Sequence, residues 1–525
     1  MRLINCRSDP LRIEEFIGRP PHSFAVLSHT WDQEEVTFQD FANTDTRTLA
    51  KGWEKIYKTC LSAREWGHDY VWVDCCCIDK TNNAELTESI NSMFQWYNDA
   101  AVCLVYLSDF DAVTGDLSTL RNARWFSRGW TLQETIAPRE AYFYDRSWRF
   151  FGTRATLYEE LSSITGIDAI VLSPPDGVEI RDLLDEIPVA RRMSWAASRQ
   201  TTKLEDIAYC LIGIFGVNMP MLYGEGLQAF VRLQEEIIRD NNDLTLFAWT
   251  AKGDIQSSSN STEQPRSTTT YRGILARSPA EFAGLGNLVL DHDIKFNPDF
   301  SMSNKGLRIH TPLHPTRGTE DVVMPLHCYA VGDNGVKMPQ LGIFLKHEGA
   351  SVYVRTRPHH LANMTDQTPT SGSNNIFISK RVRTKIAQME TNDASAPATP
   401  SLCAVYFNFQ GKAFQSSAVR LLETAPHELW DAENRVFITK GLRSFTAFHR
   451  FQVVGSITGQ VVVACGFTEA GKAWLYIDDE TGPLFPSALA KDYRTIAEFG
   501  TRRGNLQTRK QNLLAPLALS SIQKM

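Results

Sequence analysis

One short segment contains a tryptophan and a glutamate at a spacing that suits catalysis. Trp130 and Glu134 are four positions apart, so a helix through this segment would carry both side chains on one face. An indole beside a carboxyl group displaces water from it and raises its pKa. Such a carboxyl group can stabilise the oxocarbenium-like transition state of glycosidic bond cleavage. A core tryptophan beside a surface glutamate has the same spacing, so the pair needs support from the elements around it.

Polar side chains also mark the ends of the first two predicted strands of the chain. Ser28, His29 and Trp31 lie at the end of the first strand, and Asp74 and Cys75 lie at the end of the second. The carboxyl ends of parallel strands meet at one edge of a sheet, where ligands bind, so we expect these side chains to converge there. Structural roles are also possible for these residues. The histidine could be held by hydrogen bonds, the aspartate could form an ion pair, and the cysteines could be buried thiols that behave as small apolar groups.

A cysteine hydrolase is an alternative use of the same residues. Cys75 or Cys76 could serve as the nucleophile, with His29 as its base. The sequence offers no clear third member to orient the histidine, so glycosidic chemistry at Glu134 is the favoured hypothesis.

The elements that must position these residues alternate between strand and helix over the first 150 residues. Runs of β-branched and aromatic residues predict strands, and apolar residues at intervals of three and four predict helices. The predicted strands are Phe24–Ser28, Tyr70–Cys76, Ala101–Leu107 and Glu140–Tyr144, and the predicted helices are Lys51–Trp66, Asn83–Asn98 and Trp125–Ile136. This alternation predicts an α/β domain at residues 1–150, built on a small, doubly wound, mostly parallel sheet.

The remainder of the chain divides into three parts by composition. Residues 151–250 show helical periodicity and end in a predicted strand at Leu244–Trp249, which indicates a helical extension of the first domain. Residues 251–270 are polar and predict a linker. Residues 271–525 contain many short strand patterns and almost nothing that looks like a long amphipathic helix, so they predict a β-rich region of one or two sandwiches.

Charge and cysteine content argue against several classes of protein. With 54 Lys and Arg against 60 Asp and Glu the net charge is −6, so no nucleic-acid partner is expected. No apolar run reaches the roughly 18 residues of a membrane-spanning helix, and the N-terminus lacks the apolar core of a signal peptide. The ten cysteines, three of them consecutive, predict reduced thiols and a cytoplasmic location. Neither zinc-finger spacing nor a P-loop occurs, so no metal and no built-in NTPase switch are expected.

Four blocks of the sequence together resemble one known family. The blocks are Phe24–Asp40 (FAVLSHTWDQEEVTFQD), Tyr70–Phe110 (beginning YVWVDCCCIDK), Trp125–Pro138 (WFSRGWTLQETIAP) and Arg191–Ile237 (beginning RRMSWAASR). In order and content they resemble the fungal heterokaryon-incompatibility (HET) domain and the segment that commonly follows it. The resemblance covers roughly the first 245 residues, and the blocks are far more specific jointly than singly.

The resemblance implies a role in self/non-self recognition among fungi. HET-domain proteins trigger vegetative incompatibility, a programmed cell death akin to innate immunity that follows fusion of genetically different cells. The domain is also similar to the flavodoxin-like TIR fold, and some TIR domains cleave NAD with a glutamate on a helix after the third strand. The resemblance thus implies that Glu134 is catalytic, that NAD is a substrate, and that no cofactor is needed. Under it, the β-rich region senses an unidentified protein partner or restrains the effector.

The same resemblance suggests roles for the other candidate residues. Ser28, His29 and Arg128 would contact ribose or phosphate, and Trp31 and Trp130 would shape the pocket. The side chains that end the second strand would complete the substrate-binding rim. The rival hypothesis is a death-signalling scaffold without catalysis, which acts through self-association of its α/β domain and uses its glutamate only structurally.

Overall fold

The structure is a computed structural model that describes most of the 525 residues. The residues that it leaves undescribed are 19, 21–22, 33, 44–51, 114–116, 252–270, 292–297, 317–318, 333, 368–371, 383–403, 410–418, 432–435, 439–443, 454–458, 468–472, 483, 504–518 and 525. The predicted linker at 251–270 lies almost entirely outside the described residues.

A seven-stranded sheet forms the centre of the first 153 residues. Its strands are β1 (Arg2–Asn5), β2 (Arg12–Glu15), β3 (Phe24–His29), β4 (Tyr70–Trp72), β5 (Val102–Tyr106), β6 (Ala141–Tyr144) and β7 (Phe150–Thr153). They lie in the order β2-β1-β4-β3-β5-β6-β7. The four central strands are parallel, while β1, β2 and β7 pair antiparallel at the two sides.

The expectation of a mostly parallel sheet was therefore wrong at its edges. The predicted α/β alternation is present in the centre, where every residue of β3 is buried. The sequence analysis missed β1, β2 and β7 because each has only four residues and is partly exposed, which leaves too short a pattern to recognise. The sheet is mixed, with a parallel core flanked by antiparallel strands.

Short and long helices connect these strands. They are α1 (Phe38–Ala42), α2 (Gly52–Glu65), α3 (Asp74–Cys77), α4 (Asn83–Asp99) and α5 (Thr131–Ile136), with 3-10 helices at Leu117–Asn122 and Arg124–Ser127. The predicted single helix Trp125–Ile136 is thus two pieces, a 3-10 turn and α5. The interruption has a long-range cause: Gly129 N donates to Gln200 O at 2.9 Å, and a side chain at Gly129 would collide with Thr201.

Helix α4 begins at a capping residue that permits a test of local stability. The Asn82 side chain accepts hydrogen bonds from Ala84 N at 3.1 Å and Glu85 N at 3.3 Å. We expect Asn82→Ala to lower the free energy of unfolding by about 1 kcal/mol, because two helix-end donors lose their acceptor. Asn83→Ala, one residue inside the helix, should leave stability unchanged or raise it slightly, because alanine favours a helix more than asparagine does. Urea unfolding followed by circular dichroism measures both, and equal losses would contradict the capping role.

Helices dominate residues 154–250. They are α6 (Tyr158–Thr165), α7 (Ala169–Leu172), α8 (Ile180–Glu186), α9 (Val189–Ser194), α10 (Asp206–Tyr209), α11 (Ile212–Phe215) and α12 (Gln228–Asp240). The predicted strand at Leu244–Trp249 is wrong, because Leu244–Phe247 forms a 3-10 helix. The Asp243 carboxylate caps it by accepting from Thr245 N at 2.8 Å, and its four residues are buried. A short buried apolar run does not distinguish a strand from a helical turn.

The C-terminal region is rich in β-strands, as predicted, over the residues that the structure describes. A nine-stranded sheet contains β8 (Leu288–Leu290), β9 (Phe300–Ser303), β10 (Gly306–Pro312), β11 (His314–Pro315), β12 (Val322–Val331), β13 (Lys337–Gly349), β14 (Val352–Arg355), β15 (Ala362–Asn363) and β16 (Ser373–Ile378). The later strands are β17 (Ala404–Phe409), β18 (Val419–Ala425), β19 (Trp430–Asp431), β20 (Val436–Ile438), β21 (Phe445–Val453), β22 (Gly459–Phe467), β23 (Ala473–Asp479) and β24 (Leu519–Lys524). They form two four-stranded sheets, and two helices, α13 (Leu484–Leu489) and α14 (Tyr493–Arg503), follow β23.

The helical extension and the nine-stranded sheet share buried apolar contacts. One cluster of buried side chains runs from the first sheet through α12 to β16. At the junction the Arg355 guanidinium donates to Phe247 O at 2.9 Å and lies 3.7 Å from the centre of the Trp249 ring. Among the described residues, no helix has both the length and the apolar character needed to span a bilayer.

Candidate active site

The carboxyl end of β3 meets α5 through one buried hydrogen-bond chain. Ser28 Oγ donates to Glu134 Oε2 at 2.5 Å, and Trp125 Nε1 donates to Ser28 Oγ at 2.8 Å. Glu134 is only 7% exposed, and Ser28 and Trp125 are buried as well. The structure thus brings together the predicted serine and glutamate, with an indole N–H to fix the serine hydroxyl.

The Glu134 carboxyl group has a pKa of about 7, well above the ordinary value of 4.5. Burial is the main cause, because a charged carboxylate loses its hydration there. The negative charge of Asp74 also raises the pKa. The hydrogen bond from Ser28 and the positive charges of His29 and Arg199 lower it, and so partly offset the effect of burial. A carboxyl group that titrates near neutral pH can donate a proton in its neutral form and accept one in its ionised form.

The indole of Trp125 offers a test of this hydrogen-bond chain. We expect Trp125→Phe to lower the free energy of unfolding by about 1–2 kcal/mol more than a matched tryptophan-to-phenylalanine change, because Ser28 Oγ loses a buried donor. The matched control is Trp72→Phe, since Trp72 is fully buried and its Nε1 has no hydrogen-bond partner in the described residues. Urea unfolding measures both variants. An equal cost would show that the Trp125 hydrogen bond contributes nothing.

A second cluster surrounds His29, the residue that ends β3. His29 Nδ1 lies 3.8 Å from Asp74 Oδ1, and His29 Nε2 lies 3.7 Å from Glu35 Oε2. Both separations exceed a hydrogen bond, so the interactions are electrostatic. The donor atoms of His29, Asp74 and Cys75 lie within 4.8 Å of one another. Behind the histidine, Lys55 Nζ donates to Glu35 Oε1 at 2.5 Å.

Opposite charges alternate through this cluster. Burial by itself would lower the pKa of His29, but its interactions with Cys75 and Glu35 raise it to about 9. Burial would raise the pKa of Glu35, but His29 and Lys55 hold it at about 2. A hydrogen bond from Cys76 and the proximity of His29 lower the Cys75 pKa to about 7 against the effect of burial. The cluster therefore contains the carboxylate that a cysteine hydrolase would need, although Cys75 is only 2% exposed.

Trp31 forms the exposed part of the rim, and the half-buried Lys80 packs against it. Trp31 Nε1 donates to Asp74 Oδ2 at 2.9 Å, and Lys80 Nζ lies 3.4 Å from the centre of the Trp31 ring. Lys80 Nζ is also 3.9 Å from Asp74 Oδ2. The Trp31 indole therefore covers the aspartate. Because Trp31 is 43% exposed, the same ring is also accessible to solvent.

Arg128 and Trp130 are directed away from the strand ends. Arg128 Nη1 donates to Thr202 Oγ1 at 3.2 Å, and Trp130 Nε1 lies 3.4 Å from Asp206 Oδ2. The indole that contacts the site is Trp125 instead. Trp130 is the N-cap residue of α5 and has helical backbone angles, four positions before Glu134, while its indole N–H is bound by Asp206.

Two further contributors lack a local sequence signal. Glu35 lies in a loop, and Arg199 donates through Nη1 to Arg128 O at 2.8 Å and to Thr131 Oγ1 at 2.9 Å. Arg199 is buried and holds the start of α5 in place. Only the resemblance blocks, which contain both residues, pointed toward them.

A cleft of about 480 Å³ lies at the opposite edge of the sheet. Its lining includes Phe24, the first residue of β3, and Asp99, the last residue of α4. These mark the amino ends of the parallel strands, whereas ligands of open α/β sheets bind beyond the carboxyl ends. We therefore assign the candidate site to the Ser28–Glu134 rim and not to this cleft.

Comparison with known proteins shows that part of the sequence is similar to one family. Residues 24–119 match the family described as heterokaryon incompatibility protein (HET). This HET region contains Ser28, His29 and Asp74, whereas Glu134 follows it in the chain. Residues 228–313 match a domain of unknown function, DUF8212.

One curated relative extends the similarity beyond the HET region. The chain is 43% identical over 238 residues to the vegetative incompatibility protein HET-E-1 of Podospora anserina. The aligned part is 43% of this chain and 17% of that relative, so the chain spans about a sixth of its relative's length. No solved structure matches the chain.

Proposed function

We propose that this chain is a fungal self/non-self recognition effector that triggers programmed cell death by cleaving NAD. The observation that carries the proposal is Glu134: a buried carboxyl group with a pKa of about 7, hydrogen-bonded to Ser28 at the carboxyl end of β3. The match of the HET region and the similarity to HET-E-1 support the biological role, vegetative incompatibility.

The strand order supports a flavodoxin-like, and hence TIR-like, arrangement of the sheet. The parallel strands β4-β3-β5-β6 are second, first, third and fourth among the parallel strands along the chain. Flavodoxin-like sheets share this order and bind ligands where it reverses, which here is between β3 and β5. Ser28, at the end of β3, is adjacent to that point.

Cleavage would break the bond between ribose C1′ and the nicotinamide nitrogen. The bonding electron pair leaves with nicotinamide, and the Glu134 carboxylate stabilises the positive charge that develops at C1′. Water then adds to C1′, and Glu134 accepts its proton and passes it to solvent. The products are nicotinamide, ADP-ribose and one proton, and the reaction needs no cofactor.

Substrate access in this proposal requires a movement of the rim. Glu134 is 7% exposed, so a dinucleotide reaches it only when a neighbouring side chain is displaced. Trp31 is the best candidate, because its ring is 43% exposed and Asp74 and Lys80 hold it from one side. Binding of the adenine or nicotinamide ring to this indole would couple entry to displacement.

The test is incubation of the purified full-length chain with NAD, followed by measurement of nicotinamide. We expect release that depends on enzyme concentration and that is lost in Glu134→Gln. A partner protein sensed by residues 271–525 could be required, so the assay is repeated in extracts of cells that die on expression of the chain. Absence of nicotinamide release in both settings would contradict NAD cleavage.

The rival scaffold hypothesis gives the opposite result in cells. If the chain signals only through self-association, Glu134→Gln expressed at wild-type level should kill as effectively as the wild type. NAD cleavage predicts that this variant does not kill and that cellular NAD stays constant.

A further inference from the structure

Three metal-binding side chains point toward one another beside the candidate active site. The donor atoms of His29, Asp74 and Cys75 lie within 4.8 Å of one another, and His29 Nδ1 is 3.8 Å from Asp74 Oδ1. A tetrahedral zinc ion with bonds of about 2.0–2.3 Å holds its ligands roughly 3.3–3.8 Å apart. A small inward adjustment of the three side chains therefore suffices to bind an ion.

Buried polar atoms in this cluster lack hydrogen-bond partners in the described part of the chain. They include His29 Nε2, Asp74 Oδ1 and Glu35 Oε2. Such atoms normally have a partner, because an unsatisfied buried polar group costs about 1–3 kcal/mol. The His29 side chain is 1% exposed, so bulk solvent does not satisfy it. A ligand at this point would resolve the unpaired aspartate oxygen.

The neighbouring residues orient these groups as in known metal sites. Trp31 Nε1 binds Asp74 Oδ2, which leaves Oδ1 directed at the histidine. Glu35 faces the other imidazole nitrogen of His29, and Lys55 holds Glu35. A carboxylate behind a ligating histidine fixes the ring and strengthens it as a ligand.

The two lysine side chains nearby lie against carboxylate oxygens that are not proposed as ligands. Lys55 is engaged by Glu35 Oε1 at 2.5 Å. Lys80 Nζ lies 3.9 Å from Asp74 Oδ2, on the oxygen that does not face the histidine. The two lysines thus neutralise carboxylate oxygens that a metal ion would not use.

We propose that His29, Asp74 and Cys75 bind a zinc ion with three protein ligands and one open position. Thiolate, imidazole and carboxylate together favour Zn²⁺ over Mg²⁺ or Ca²⁺, which prefer oxygen ligands alone. Binding displaces the thiol proton of Cys75 and one ring proton of the His29 imidazolium, because zinc binds the thiolate and the neutral imidazole. The sequence analysis expected no metal, because these ligands come from two strand ends that are distant in the chain and match no zinc-finger spacing. The inference does not depend on NAD cleavage.

Cobalt substitution tests the site directly on the full-length chain. After removal of metals with a chelator, titration with Co²⁺ should give a thiolate-to-cobalt charge-transfer band and intense tetrahedral d–d bands that saturate at about one ion per chain. Zn²⁺ should abolish these bands by competition. Elemental analysis of chain titrated with Zn²⁺ and passed through a desalting column should show the same stoichiometry.

Variants separate the proposed ligands from their neighbours. Cys75→Ser and Asp74→Asn should lose the charge-transfer band or weaken Co²⁺ binding at least about 10-fold, and Glu35→Gln should weaken it about 10–100-fold. Cys77→Ser is the matched control, because Cys77 is buried in the same short helix but outside the ligand group.

The wild-type spectrum decides the matter even if a variant fails to fold. A wild-type chain that shows no thiolate band with Co²⁺ would overturn the proposal. Equal loss of the band in folded Cys77→Ser and Cys75→Ser would also overturn it. Because the readout is spectroscopic, it succeeds or fails separately from nicotinamide release.

Discussion

Replacing Glu134 with glutamine should lower nicotinamide release from NAD by at least about 100-fold, because the amide cannot stabilise the developing positive charge at C1′. Glutamine has nearly the same shape and still accepts the hydrogen bond that Ser28 Oγ donates at 2.5 Å. The loss should therefore appear in kcat with little change in KM. Steady-state nicotinamide release by the wild type and the variant measures it.

A second glutamate provides the matched control for this variant. Glu140 lies shortly after α5 and is exposed, so Glu140→Gln removes one negative charge from the same part of the chain without touching Ser28. It should keep nicotinamide release within about twofold of the wild type. Equal losses in the two variants would point to a general effect of charge and would refute catalysis by Glu134.

The same substitution should make the folded chain more stable at alkaline pH. Burial raises the pKa of Glu134 from 4.5 to about 7, so the folded state holds its proton more tightly than the unfolded state does. As pH rises between these values, the unfolded carboxyl ionises first and the wild type loses stability. Above pH 7 the loss is complete and amounts to roughly 3 kcal/mol. Glutamine does not ionise, so the variant avoids this loss.

Urea unfolding of the wild type and Glu134→Gln at several pH values tests this expectation. The variant should gain stability relative to the wild type as pH rises from about 4.5 to 8, and the difference should then level off. The groups that act on Glu134 electrostatically, Asp74, His29, Arg199 and Tyr97, are present in both chains, so their own titration largely cancels. A difference that is independent of pH would show that Glu134 is ionised normally.

These two effects together distinguish a functional carboxyl group from a structural one. A structural glutamate is expected to stabilise the fold, and its replacement should weaken the chain at every pH. A catalytic group held in an unfavourable environment shows the reverse, with lost activity and gained stability. The scaffold hypothesis predicts a Glu134→Gln variant that still kills cells, even though burial of the carboxyl group makes that variant more stable at alkaline pH.

Much of the position of the candidate site followed from strand order alone. The carboxyl ends of β3 and β4 must meet, which brings His29 close to Asp74. The identity of the indole could not be predicted, because backbone pairing between Gly129 and Gln200 interrupts the helix between Trp125 and α5. Such a contact between distant parts of the chain leaves no trace in local periodicity.

The accuracy of the predicted secondary structure also depended on whether an element is determined by local sequence or by distant contacts. Long periodic segments such as α4 and buried strands such as β3 were predicted, because their patterns are complete within a few residues. The antiparallel edges of the first sheet and the 3-10 helix at Leu244–Phe247 were not. Their conformation depends on which partner is available in space, and a short run of residues does not specify that.

The pH dependence of nicotinamide release is the most direct measurement of the role assigned to Glu134. If its carboxylate stabilises the charge at C1′, kcat/KM should rise with pH through a transition near 7, the pKa of this group in the free protein. The residual activity of Glu134→Gln should lack that transition. A wild-type profile that is flat between pH 5.5 and 8.5, roughly the range that brackets this pKa, would contradict the account, as would a variant that retains the same transition.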